Sequence, residues 1–228
     1  GDFAIEIEAE NMPLVQKMII AKCNAAGKPV ITATQMLESM INTPVPTRAE
    51  VSDVANAILD GTDAIMLSEE TALGKYPVEA VEMMTKISAK VDPAVAVRQL
   101  FSTEAMGKKN TTDAVSAAVV GAAHDIGAKV IVATTASGFT ARMISRYKPL
   151  VPVLALTPSE RVANQLRLSR GVTPIVIPKV KNLAEIVSIV RTNARALGLA
   201  EKGDKVVITG GAPFTKEGTT NSMYVEVL

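Results

Sequence analysis

Short apolar runs alternate along this chain with longer stretches of helical period, and each run breaks off in polar residues. The pattern is clearest from Gly27 to Glu50. Pro29-Val30-Ile31-Thr32-Ala33 is apolar and β-branched and follows Gly27, so it reads as a buried strand. It stops at Thr34-Gln35. Beyond Pro44 and Pro46, Thr47-Arg48-Ala49-Glu50 has the S/T-x-x-E spacing of a capping box, in which the hydroxyl takes an orphan N–H and the carboxylate reaches back to the cap. Val51, Val54, Ala55, Ile58 and Leu59 then recur at helical spacing. Strand, polar tip, loop and capped helix make a unit of a parallel sheet or barrel, and such folds carry their chemistry at the strand tips.

The rest of the chain keeps this rhythm. Residues 11–26 read as a helix with Met12, Val15, Met18, Ile19 and Cys23 on one face and Gly27 as its stop, which makes Cys23 a core thiol. Asp63 to Leu67 reads as a second buried strand, ending in Ser68-Glu69-Glu70-Thr71. A helix then starts at Tyr76-Pro77 and runs through Val78, Val81, Met84 and Ile87. The periodicity weakens from Asp92, and Gly107-Lys108-Lys109-Asn110 is charged and carries a glycine. A connector over 92–111 therefore separates a first domain, 1–91, from a second, 112–228.

In the second domain helices are expected over 113–126, 141–146 and 182–197. Strands are expected over 129–133, 151–156, 175–177, 205–208 and 223–228. Thr157-Pro158-Ser159-Glu160 reads as a second capping box with Pro158 at the first helical position. Alternating strands and helices predict a three-layer α/β domain with a mostly parallel sheet covered on both faces.

Composition narrows the function classes. Aromatics are 3% of 228 residues with no Trp, so the cores must rest on Val, Ile, Leu, Ala and Met. A net charge of +1 without a basic stripe argues against a nucleic-acid partner. No apolar run approaches the ~18 residues of a membrane span. A lone cysteine excludes an internal disulfide and suits a reducing compartment. The first residue is Gly rather than Met, which a partial coding sequence explains most simply.

The run Ala33-Thr34-Gln35-Met36-Leu37-Glu38-Ser39-Met40, then Pro44-x-Pro46-Thr47-Arg48-Ala49-Glu50, then Ser52-Asp53-Val54-Ala55-Asn56-Ala57-x-Leu59-Asp60-Gly61, closely resembles the pyruvate kinase family. The resemblance covers essentially the whole chain. It implies the last units of a (β/α)8 barrel followed by a regulatory α/β domain, from a cytoplasmic glycolytic kinase. Such an enzyme moves a phosphoryl group from phosphoenolpyruvate to ADP with Mg²⁺ or Mn²⁺. A K⁺ site would lie outside this chain, and the intact enzyme would be a homotetramer. Three strand tips would carry the chemistry. The resemblance makes Asp2 a metal ligand, the Gly1-Asp2 amides and Thr34 contacts of the substrate carboxylate, and Ser68 a member of the proton relay to the enolate.

The family's catalytic Lys, second metal carboxylate, phosphate-binding Arg and nucleotide-covering domain precede the start of this chain, so the chain alone is expected to be inactive. Glu69 stands where the family has Gly, which puts the loop geometry in question if a positive φ is needed there. A non-enzymatic module that binds a phosphometabolite is the rival reading.

In the second domain, Thr134 to Thr140 runs from a strand end into a helix, and hydroxyls with free helix N–H groups can hold an anion. The resemblance assigns this loop, with Thr135, Ser137, Gly138 and Thr140, to the phosphate of an allosteric effector. The later loop from Gly210 to Lys216 lacks the Trp and Arg of fructose-bisphosphate-type enzymes. AMP or a sugar monophosphate is therefore the expected effector. Arg142 and Arg146 are expected to be solvated charges or phosphate neighbours, and His124 has no assigned role.

Overall fold

The computed structural model describes residues 6–100 (backbone only at 96–100), 110–180, 182–211 and 219–228. The chain divides into two compact units between Val97 and Arg98.

The first unit opens with helix α1, Met12–Ala26, closed by Gly27. Strand β1, Ile31–Ala33, leads to a loop with a short 3-10 turn at Glu38–Ile41 and then to helix α2, Arg48–Leu59. Strand β2, Ala64–Met66, is followed by the one-turn helix α3, Glu69–Ala72, and by α4, Pro77–Leu100. The helical backbone thus passes Asp92 and Pro93, where the sequence reading began the connector. β1 and β2 pair in parallel, with Ala33 opposite Met66.

The expected capping box at α2 is present: Glu50 N–H donates to Thr47 Oγ1 (3.3 Å), and Thr47 N–H donates to Glu50 Oε2 (2.7 Å). The expected burial of both strands does not hold. Ile31 is 44% and Met66 45% exposed; among the described residues these strands pair with no strand but each other. The core lies beneath the loop that follows β1: Met36, Leu37 and Met40 pack with Val54, Ala57 and Ile58 of α2 and Ala80, Met84 and Ile87 of α4.

The face of α1 also differs from the expected stripe. Ile20 and Asn24 are buried, while Met18 and Ile19 are exposed and Cys23 is half-buried. A polar anchor sets this rotation: Asn24 Nδ2 donates to the Gly61 carbonyl (3.0 Å), and Lys17 pairs with Asp60 (2.6 Å).

The second unit runs α5, Thr111–Asp125; β3, Val130–Thr134; α6, Phe139–Ser145; β4, Val153–Thr157; α7, Glu160–Leu166; β5, Val172–Val176; α8, Leu183–Ala196; β6, Lys205–Gly210; and β7, Ser222–Val227. The sheet order is β5-β4-β3-β6-β7, parallel except for the final pair. Alternation puts Ile131, Ala133, Val153, Ala155 and Val207 in one core with residues of α5, α6 and α7. Val130, Val132, Leu154, Leu156, Val206 and Ile208 enter a second core under Ile186, Val190 and Ala194 of α8. Both faces are covered, as the sequence pattern predicts.

The second expected capping box shifts by two residues. Ser159, not Thr157, caps α7 by accepting from Val162 N–H (3.3 Å). Thr157 is the last residue of β4, and Pro158 lies before the cap. Pairing with β5 through Val176 holds Thr157 in the strand, so it cannot begin the helix.

Candidate functional site

The β1–β2 register sets two strand tips side by side at one carboxyl edge. Thr34 and Gln35 follow β1 directly with φ of +72° and +56°. A left-handed backbone is unfavourable for a β-branched residue, so this turn stores strain at a tip that carries candidate chemistry. The Thr34 side chain is exposed, and its hydroxyl donates to the Ala33 carbonyl (2.6 Å). Gln35 Nε2 donates to Glu38 (3.0 Å). A cleft of about 650 Å³ borders this turn, lined with Gln16 and Lys17 from α1, Asp53 and Asn56 from α2, and Asp60 just past α2.

Ser68, at the second tip, precedes α3, and its carbonyl accepts from Thr71 and Ala72 N–H. Glu69 begins that helix and is absent from the residues with positive φ. A side chain is therefore tolerated at position 69, and the doubt raised by the missing glycine falls away.

Two carboxylates brace the loops. Glu70 is 2% exposed and accepts from Leu37 N–H (3.1 Å) and Ser68 N–H (2.7 Å). Glu50 accepts from Ser39 N–H (2.7 Å) and the Ser39 hydroxyl (2.6 Å) besides its cap contacts. Burial pushes the Glu50 carboxyl up, but the bonds from Ser39 and Thr47 outweigh this and hold it below the usual range. Sequence reasoning placed Glu50 in the cap only and gave Glu70 no part. The partners of both are reached by chain reversal, which local spacing does not reveal.

Gly1 and Asp2 lie outside the described residues, as do Ala212 to Gly218 of the loop before β7. Among the described residues no group of three or more His, Cys, Asp or Glu could hold a metal ion.

In the second unit, Thr135, Ser137, Gly138 and Thr140 lie on one loop at the carboxyl end of β3. Thr135 is buried, and its N–H donates to the Leu156 carbonyl (2.9 Å). Ser137 is exposed, and its carbonyl accepts from Arg142 Nη1 (3.3 Å). Gly138 caps α6 with φ +79°, and a Cβ there would lie 2.7 Å from that same Arg142 nitrogen. The Thr140 hydroxyl is buried against Thr220 Oγ1 (2.8 Å), so it is already engaged within the protein.

Arg146 is not a solvated charge. It is 6% exposed, pairs with Asp113, donates to Tyr147 Oη (3.0 Å) and lies over the Tyr147 ring. His124 is on the exposed end of α5, beside Asp125 (3.2 Å). Among the described residues no helix is long and apolar enough to cross a membrane.

This two-part architecture matches known proteins throughout. Residues 1–81 match the pyruvate kinase barrel domain, and residues 113–226 match the pyruvate kinase alpha/beta domain. A pyruvate kinase from Clostridium acetobutylicum is 50% identical over 230 residues, spanning all of this chain and 48% of the relative. One from Geobacillus stearothermophilus is 47% identical over 229 residues, again across the whole chain but 39% of the relative. The crystal structure of a pyruvate kinase from Cryptosporidium parvum superposes with a TM-score of 0.90 at 38% identity, covering 98% of this chain and 45% of that one. The chain thus spans less than half the length of these relatives, and it belongs to the pyruvate kinase family.

Proposed function

We propose that this chain is the C-terminal portion of a glycolytic pyruvate kinase, which transfers the phosphoryl group of phosphoenolpyruvate to ADP to give pyruvate and ATP. The observation that carries the reading is the pairing of the Thr34 and Ser68 tips at one carboxyl edge, the place where barrels do chemistry. In this reading Thr34 and the Gly1-Asp2 amides hold the substrate carboxylate, and Asp2 binds Mg²⁺ or Mn²⁺. The metal would supply positive charge to the moving phosphoryl group. Ser68 orders the path of the proton that ketonises the enolate. The enzyme would be cytoplasmic and tetrameric, with any K⁺ site elsewhere.

The chain alone would be catalytically silent, since each missing electrostatic group is worth about 10²–10³-fold. Joining it at Gly1 to the preceding residues of the Clostridium acetobutylicum relative tests the reading. The chimera should turn over phosphoenolpyruvate and ADP, and the unjoined chain should not. A folded but inactive chimera would favour the non-enzymatic module. In the active chimera, Thr34→Ala should raise KM for phosphoenolpyruvate but not for ADP, and Ser68→Ala should lower kcat.

The second unit we read as the effector domain, with one phosphate of AMP or a sugar monophosphate held at Thr135, Ser137, Gly138 and Thr140. Exposed Ser137 and the Arg142 guanidinium close to Gly138 support the reading. Calorimetry on the whole chain should show tighter binding of the monophosphates than of fructose 1,6-bisphosphate, with loss in Ser137→Asp.

A further inference from the structure

The geometry points to Glu70 as the positioning residue of the catalytic edge: one buried carboxylate ties the β1 tip to the β2 tip and so sets where Thr34 and Ser68 stand. This rests on the reading of Thr34 and Ser68 given above, but its geometry can be tested without that reading.

Each oxygen of the carboxylate has a separate task. Oε1 accepts from Leu37 N–H, on the loop after β1, and Oε2 from Ser68 N–H, on the loop after β2. Glu70 is 2% exposed and, among the described residues, forms no ion pair. A buried carboxylate without a cation is costly unless hydrogen bonds compensate it, and these two amides are what compensate it. An apolar residue at position 70 would avoid that cost and would leave the buried Leu37 N–H and the half-buried Ser68 N–H without their acceptor.

The strain at Thr34 and Gln35 gives the tie its purpose. Their positive φ values persist only if both ends of the turn are fixed. The near end is fixed by β1 pairing. The far end is fixed at Leu37, which is fully buried and held by Glu70, and at Ser39, held by Glu50. Glu70 is also two residues from Ser68 on the same short turn, so displacing its carboxylate moves both tips.

Glutamine separates this role from simple packing. It has nearly the same shape but only one acceptor oxygen, and its NH₂ would face a second N–H. In the whole chain carrying Glu70→Gln, the Leu37 or Ser68 amide should exchange with solvent at least about tenfold faster. The interior amides of α2 and those of the second unit should keep their rates. Glu69→Gln, at the exposed neighbour, should change neither tip. Unchanged exchange at both tips would overturn the proposal, and so would loss spread evenly over the first unit.

The unmodified chain gives a second readout should the variant fail to fold. In the unmodified chain the Leu37 and Ser68 amides should both be protected from exchange with solvent, because one buried carboxylate accepts from both. Fast exchange at either amide would overturn the tie. In the active chimera, Glu70→Gln should lower kcat and raise KM for phosphoenolpyruvate, each about tenfold, with KM for ADP held. A fall in folded yield alone, with both constants kept, would reduce Glu70 to a stability role. An inactive parent chimera would count against the kinase reading, while the exchange results would still decide the geometry.

Discussion

Two sheets in this chain are built from the same kind of apolar run and end in opposite environments. In the second unit the central residues of β3, β4 and β6 are buried from both faces, by α5, α6 and α7 on one side and α8 on the other. In the first unit β1 and β2 have half-exposed residues, and the core lies under the loop that follows β1. Strand burial is therefore a property of neighbours rather than of the strand's own sequence. The contrast extends to how the parts are held. The second unit holds its elements by side-chain packing. The first holds its two tips by carboxylates that accept from backbone amides.

The sharpest way to break this comparison is to remove a charge from the packed unit. Asp113, at the start of α5, and Arg146, just past α6, are both buried and paired. Arg146→Ala takes the cation away from a buried carboxylate and should cost about 3–5 kcal/mol. Urea unfolding, followed through amide resonances of each unit, should show the loss in the second unit only. Replacing both partners with apolar residues of similar volume should recover much of it.

Next in size is a matched pair of truncations. Leu154 in β4 is fully buried, so Leu154→Ala should cost about 2–5 kcal/mol. Ile31 in β1 is 44% exposed, and Ile31→Ala should cost roughly 1 kcal/mol or less. Equal costs in the same urea experiment would mean that β1 is covered in solution.

Much of this was legible in the sequence because it depends on local spacing. The strand–helix rhythm, the Thr47 cap and the Gly27 stop are read from residues within one turn of each other. What was not legible depends on distant partners. Ile31 and Met66 look like core residues, but among the described residues their sheet has two strands and both side chains are half-exposed. Arg146 looks solvated until α5 brings Asp113 to it, 33 positions away. Thr157 has a hydroxyl where a cap would want one, but β5 holds it in the sheet. At the candidate site, family motifs are what single out Thr34 and Ser68 as proposed site residues. Glu70 was overlooked because its two donors belong to two different loops.

The smallest expected effect tests the carboxylate side of the comparison through pH. The four donors on Glu50 hold its carboxyl below the usual range despite burial. A carboxyl with a depressed folded pKa binds fewer protons folded than unfolded as pH falls. Its stabilisation is thus complete above the ordinary glutamate range, near 4.3. It is lost as pH drops through the lower folded value. Glu50→Gln should cost about 1 kcal/mol at neutral pH, in line with the loss of a cap. The gap between it and the unmodified chain should stay constant from pH 7 to about 5.5 and then close under more acidic conditions. Thr47→Ala removes one cap partner but leaves both Ser39 bonds to the carboxylate. It should therefore keep part of this pH dependence. A gap that is flat through the acidic range would show that Glu50 works by shape alone, and that the first unit is braced by packing after all.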